Sequence, residues 1–201
     1  MDNLKYELDL YGKGYDRIAG VDEVGRGCLA GPVYACSIIM KKDSHIEGVT
    51  DSKKLSDKKR RALVQQILSE CECYQVIAID NKKIDEINIL EASRLAMEKA
   101  IKNMAIKPDY ILTDAMELHT KIPYLALIKG DMLSYTIACA SIVAKVARDD
   151  YMISLAKKYP GYGFEKHKGY PTKAHKEALK NLGVTKVHRK SYEPVKQLLE
   201  Q

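Results

Sequence analysis

Apolar and polar positions repeat with two periods along this chain. Arg17–Val21, Pro32–Met40, Val76–Ile79, Asp109–Thr113 and Tyr124–Ile128 are short apolar runs rich in β-branched residues, each read as a strand. The first runs straight into Asp22 and Glu23. Between and after these runs the period lengthens to that of a helix. Leu63, Val64, Ile67 and Leu68 form one stripe behind Ser56, whose hydroxyl suits a helix cap. Ala96, Met97, Ala100, Ile101 and Met104 form another, in a helix expected over 89–104 and ending before Lys107-Pro108. From Ile137 to Ala147 the apolar residues run nearly all round, interrupted by Ser141 and Lys145, four apart and so on one face. Such a helix is buried, and its lysine either reaches out to solvent or meets an acid. Tyr159–Lys190 is a basic, loop-rich stretch, followed by a short terminal helix. The order predicts an α/β or mixed-sheet fold with helices on both faces. No repeat or linker divides the 201 residues, which are read as a single domain, 1–201, with 159–201 as its C-terminal segment.

Composition narrows the class. Hydrophobic residues make up 46% and charged residues 30%, which excludes a disordered chain, a collagen-like repeat and a coiled coil. No run approaches the ~18 apolar residues of a membrane span. The first residues, Met1 to Glu7, alternate in charge and lack the apolar core of a signal peptide, so the cytoplasm is the expected compartment. The five cysteines are odd in number and contain no C-x-x-C. They are read as reduced thiols, most of them small buried hydrophobes.

The net charge of +6 is unevenly spread. Glu165–Lys190 holds eight basic residues against two acids, and Asp51–Arg61 six against two. Two basic clusters suit a polyanion such as nucleic acid, although solvated faces have the same composition. In Tyr159–Thr172, aromatic residues interleave with Lys and His, as phosphate neutralisation and stacking require. His167, within that stretch, reads more readily as a surface or hydrogen-bonded histidine than as a proton-transfer group.

The acids are the stronger signal. Asp22, Glu23 and Asp114 follow apolar strands, and Asp131 sits in Lys129-Gly130-Asp131 just before the buried helix. In open α/β sheets ligands bind beyond the carboxyl ends of the strands. Acids at strand ends also cap turns, but carboxylates that cluster repel unless a cation neutralises them. No His or Cys accompanies them, which favours an all-oxygen site for Mg²⁺ or Mn²⁺ over zinc. Neighbours on a regular strand point to opposite faces, so Asp22 and Glu23 share a ligand only if the strand ends or twists there. Gly25-Arg26-Gly27 follows at once and allows a sharp turn whose backbone N–H groups can approach a phosphate.

These residues, taken together, resemble the ribonuclease HII family. The matching stretches are Gly20–Gly27 with Ala30-Gly31-Pro32, Asp51–Leu55, Thr113-Asp114, Lys129–Asp131, Ala140–Asp149 and Tyr162–Thr172, in that order. Ala115 departs from the pattern, because the family often carries glycine after this Asp. The resemblance implies a ribonuclease H-like fold: a mixed five-stranded sheet flanked by helices, with a C-terminal helical and basic segment for substrate. It implies metal-dependent hydrolysis of the RNA strand of RNA–DNA hybrids, and cutting at single ribonucleotides embedded in duplex DNA. By motif position it places the catalytic and metal-binding acids on Asp22, Glu23, Asp114 and Asp131, with two Mg²⁺ or Mn²⁺ ions and Asp22 shared between them. Gly25, Arg26, Gly27 and Tyr170 fall on substrate readers, with Lys53, Ser141 and Lys145 as phosphate or active-site support. Products carry 5′-phosphate and 3′-hydroxyl ends. The related ribonuclease HIII carries a long N-terminal extension, whereas 21 residues precede Asp22 here. The expected partners are hybrid and ribonucleotide-containing duplex, with a monomeric protein and no membrane. A catalytically silent hybrid-binding module is the alternative, and it should have lost an acid.

Overall fold

Each of the five apolar runs becomes a strand in the computed structural model, which describes residues 3–50 and 52–200. The strands are β1 (Ile18–Val24), β2 (Val33–Met40), β3 (Cys71–Ile79), β4 (Tyr110–Asp114) and β5 (Tyr124–Leu127). Their order in the sheet is β3-β2-β1-β4-β5. β1, β2 and β3 pair antiparallel, whereas β4 and β5 run parallel to β1. The sheet is therefore mixed, as the resemblance implies.

The side-chain period of two divides β2 between two cores. Cys36, Ile38 and Met40 pack toward α2 (Asp57–Glu70) and α5 (Tyr135–Lys158). Val33, Ala35 and Ile39 pack toward α3 (Asn81–Lys102) on the other face. α5 crosses β1 at backbone contact, since a Cβ at Gly20 would lie 2.1 Å from the Thr136 carbonyl carbon. That approach brings α5 over the next residue on the same face, Asp22.

Several boundaries differ from the sequence reading. β3 starts at Cys71, five residues before Val76, because its first half is an edge strand alternating half-buried with exposed positions. α3 starts at Asn81, but its backbone breaks at Asn88 (φ 67°), whose Oδ1 accepts from the N–H groups of Leu90 and Glu91. The helix expected from Ile89 is thus the second half of a capped pair, and it ends at Lys102. α5 is longer than the apolar run that announced it. The stretch taken as loop holds α6 (Phe164–His167) and α7 (Lys173–Leu182), which buries His175, Ala178 and Leu179 beneath a lysine-rich outer face. The terminal helix is α8 (Val195–Leu199). Ser56 caps α2 as expected, accepting from the Lys59 N–H at 3.3 Å. Among the described residues no helix is long and apolar enough to cross a membrane.

An unforeseen helix, α1 (Lys5–Gly12), supplies the cap of α5. Glu7 is fully buried, and its Oε1 accepts from the Ser134 hydroxyl at 2.6 Å and from the Thr136 N–H and hydroxyl at 2.9 Å each. An anion at a helix N-terminus answers both the free N–H groups and the dipole. Replacing Glu7 by Ala strands these donors, a cost of about 2–3 kcal/mol. The melting temperature should fall by about 5–10 °C. A Glu7→Ala melting curve superimposable on wild type would contradict the capping role.

Candidate active site

β1 and β4 run parallel with Val21 level with Thr113. The next residues along, Asp22 and Asp114, therefore stand side by side at the carboxyl ends of the two central strands. The Gly130 N–H donates to Asp114 Oδ1 at 2.7 Å, which docks α4 (Gly130–Leu133) on the end of β4. Asp131, in the first turn of α4, is buried. Asp22 accepts a hydrogen bond from the Glu23 N–H at 2.7 Å, and Ser141 of α5 lies beside it and favours its charged form. The Ser141 hydroxyl also meets the Ser52 hydroxyl at 3.0 Å. Ser52 opens a short 3-10 turn, Ser52–Lys54, that places exposed Lys53 beside the site. Asp51 lies outside the described residues.

Burial pushes the Asp22 carboxyl well above the usual carboxylate range, and the Glu23 and Asp114 charges push it further. Burial also raises Glu23, against the pull of Arg26, whose guanidinium lies 3.4 Å from Glu23 Oε1. Glu23 Oε2 is buried and has no hydrogen-bond donor among the described residues. β1 keeps its register with β2 through Val24, yet the Glu23 charge bears on Asp22 and the Asp114 charge on Glu23, so the three carboxyls gather at one end of the sheet. Among the described residues no three metal-binding side chains form a ready-made cage. Like charges hold these acids apart, and Arg26 holds Glu23. An orphaned carboxylate oxygen in an all-oxygen donor set nevertheless fits a hard divalent cation.

The loop after β1 is set by two arginines that the sequence reading left without a role. Arg148 and Arg189 are both fully buried. Arg148 donates to the carbonyls of Pro32 (3.0 Å), Ala30 (3.3 Å) and Lys168 (2.9 Å). Arg189 donates to those of Gly31 (3.0 Å), Arg26 (2.7 Å) and Gly25 (2.7 Å). Backbone bonds run alongside, from the Leu29 N–H to the Gly169 carbonyl and from the Arg189 N–H to the Leu29 carbonyl, each 2.8 Å. Gly25, Arg26 and Gly27 are thereby tied to the Tyr170 loop. Arg148 had one sequence signal, a charge within an otherwise apolar helix. Arg189 had none, lying in a run of ordinary surface basics.

Tyr170 is half-buried, with the Cys28 thiol beside it. Burial, and after it the neighbouring Cys28, push its pKa up to about 12. Its ring lies 5.8 Å from both Lys145 Nζ and the Arg148 guanidinium carbon. Lys145 meets an acid, pairing with Asp149 at 2.7 Å. Ala115, where the family often has glycine, sits at φ 52°. A left-handed alanine of this kind costs about 1 kcal/mol.

Gly25 has φ 98°, and a Cβ there would lie 2.1 Å from Arg148 Nε. Gly25→Ala should therefore displace the Arg148 guanidinium and unfasten the loop, costing about 3 kcal/mol. Thermal unfolding checks this, and a melting temperature within a degree of wild type would contradict it.

The chain as a whole is similar to known proteins. The solved ribonuclease H2 of Pyrococcus horikoshii is 28% identical, superposes with a TM-score of 0.79, and covers 92% of this chain and 97% of its own. Ribonuclease HII of Ligilactobacillus salivarius is 54% identical over 98% of this chain and 78% of its own length. That of Acholeplasma laidlawii is 50% identical over 100% of this chain and 99% of its own. The family model described as Ribonuclease HII matches residues 19–195, which hold every acid and loop residue above. The chain belongs to the ribonuclease HII family, metal-dependent endoribonucleases of the ribonuclease H class that act on RNA–DNA hybrids.

Proposed function

We propose that this protein cuts the RNA strand of hybrids and incises duplex DNA at single embedded ribonucleotides, leaving 5′-phosphate and 3′-hydroxyl ends. Asp22, Glu23, Asp114 and Asp131 would hold two Mg²⁺ or Mn²⁺ ions. When bound, the ions activate water and neutralise the leaving oxygen. The observation that carries this reading is the pair of adjacent acids, buried Asp22 and half-buried Glu23, the second with a buried oxygen that no donor among the described residues satisfies.

The chain's own groups divide the remaining work. Ser141, beside Asp22, would steady its carboxylate. Arg189 turns the Gly25 and Arg26 carbonyls inward, which leaves the N–H edge of the Gly25-Arg26-Gly27 loop for substrate oxygens. A 2′-hydroxyl is the group that separates RNA from DNA at such an edge. Tyr170, fixed beside that loop, would stack on the neighbouring sugar. Exposed Lys53, with Lys166, Lys173, Lys176 and Lys180 in the 159–201 segment, would follow the phosphates. The protein would work as a monomer.

Duplex DNA carrying one ribonucleotide, beside an all-DNA control, tests this directly. Cleavage should need Mg²⁺ or Mn²⁺, stop with EDTA and spare the control. Asp22→Asn should lower the rate more than about a hundredfold while the duplex still binds. Cleavage that survives full chelation, or Asp22→Asn at wild-type rate, would overturn the metal site. Binding without cleavage by wild type would favour a silent hybrid-binding module.

A further inference from the structure

Three histidines gather behind the Tyr170 loop. His167 closes α6, His175 lies in α7, and His188 immediately precedes the buried Arg189. His175 and His188 are fully buried. The His167 and His175 rings stack with centroids 4.4 Å apart, and Phe164 stands edge-on to both.

The ends of this chain fix every proton within it. The Thr185 backbone N–H can only donate, and it lies 3.0 Å from His188 Nδ1, which therefore accepts from it and from the Thr185 hydroxyl at 2.8 Å. His188 carries its proton on Nε2, 3.2 Å from His175 Nε2. That nitrogen accepts in turn, so the His175 proton is on Nδ1, 3.0 Å from the Tyr170 carbonyl, which can only accept. The two rings are neutral and of opposite tautomer. A second proton on either would break one bond and set a charge against the other ring. Burial acts the same way, holding both imidazoles down at about 4.

We propose that Thr185, His188 and His175 form a neutral hydrogen-bond relay that positions Tyr170 for ribonucleotide recognition. It rests on the reading of Tyr170 as a substrate reader. The relay grips the Tyr170 carbonyl from α7, beside the Thr172 N–H that donates to the same oxygen at 2.8 Å, while the Tyr170 N–H donates to the His167 carbonyl at 2.9 Å. The main chain of Tyr170 is thus fastened on both its N–H and its carbonyl. His175 acts through the main chain of Tyr170 and is a positioning residue. Ring packing alone calls for neither tautomer.

Two measurements test the relay. In ¹⁵N-histidine-labelled wild type at neutral pH, imidazole nitrogen shifts should place the proton on Nε2 of His188 and on Nδ1 of His175. The same tautomer in both rings, or a doubly protonated ring, overturns the relay without any variant having to fold. The second is the ratio of kcat/KM on single-ribonucleotide duplex to that on continuous hybrid. His175→Phe keeps a stacked ring but loses both bonds, and it should lower that ratio about five- to fiftyfold, in the direction of Tyr170→Ala. His175→Asn, whose amide can still donate to the Tyr170 carbonyl, should recover most of it. If Tyr170→Ala shifts the ratio and His175→Phe does not, the relay is wrong and the Tyr170 reading stands. If Tyr170→Ala leaves the ratio unchanged, the Tyr170 reading fails and the positioning role falls with it.

Discussion

Two guanidinium groups, buried with no carboxylate partner among the described residues, govern the substrate side of this molecule. An arginine cannot shed its charge, so burial is tolerated only where its donors are met. Here they are met by six backbone carbonyls, three for Arg148 and three for Arg189. Five of the six belong to the 25–32 loop and the sixth to Lys168. Burial pulls the Arg189 pKa below its usual value, a measure of what the carbonyls must offset. The loop therefore cannot move without exposing a charge to apolar surroundings. That constraint sets where Gly25, Arg26 and Gly27 stand relative to Tyr170.

The carboxylate side obeys the opposite logic. There the charges are negative, close together and only partly answered. Gly20 lets α5 lie against β1, and Glu7 fixes the N-terminus of that helix. α5 then delivers Ser141 to Asp22 on one turn and Arg148 to the loop two turns on. One helix thus registers the acids against the substrate loop. The raised carboxyls of Asp22 and Glu23 store the repulsion that a divalent cation would relieve.

Much of this was legible in the sequence, for identifiable reasons. Strands buried on both faces read as apolar runs, so β1, β2 and β4 were plain, and β5, although an edge, was plain because its sequence is apolar throughout. The first half of β3 is an edge and carries too little apolar signal. α1 was invisible because its alternating charges hide the one residue that matters, Glu7. Asp22 and Asp114 stood out because both end apolar strands. The tie between Gly25 and Arg189 could not be read, since it joins a side chain to main-chain oxygens 164 residues away and leaves no residue-type pattern. The proton order of His188 and His175 was hidden for the same reason. Ala115 shows a converse case: the departure was visible, but its left-handed backbone was not.

Amide hydrogen exchange tests the central claim most directly, that the buried arginines make the substrate loop as firm as the sheet. The Leu29, Gly31 and Arg189 amides donate to the carbonyls of Gly169, Val187 and Leu29. In wild type these amides should exchange only through global unfolding, at the same free energy as Ala19 and Leu112 in the central strands. In Arg189→Met they should open several kcal/mol more easily, by roughly the cost of stranding its carbonyls, while Ala19 and Leu112 stay protected relative to the loop. Wild-type loop amides that exchange at the rate of an exposed turn, or equal protection of loop and strands in the variant, would contradict the account.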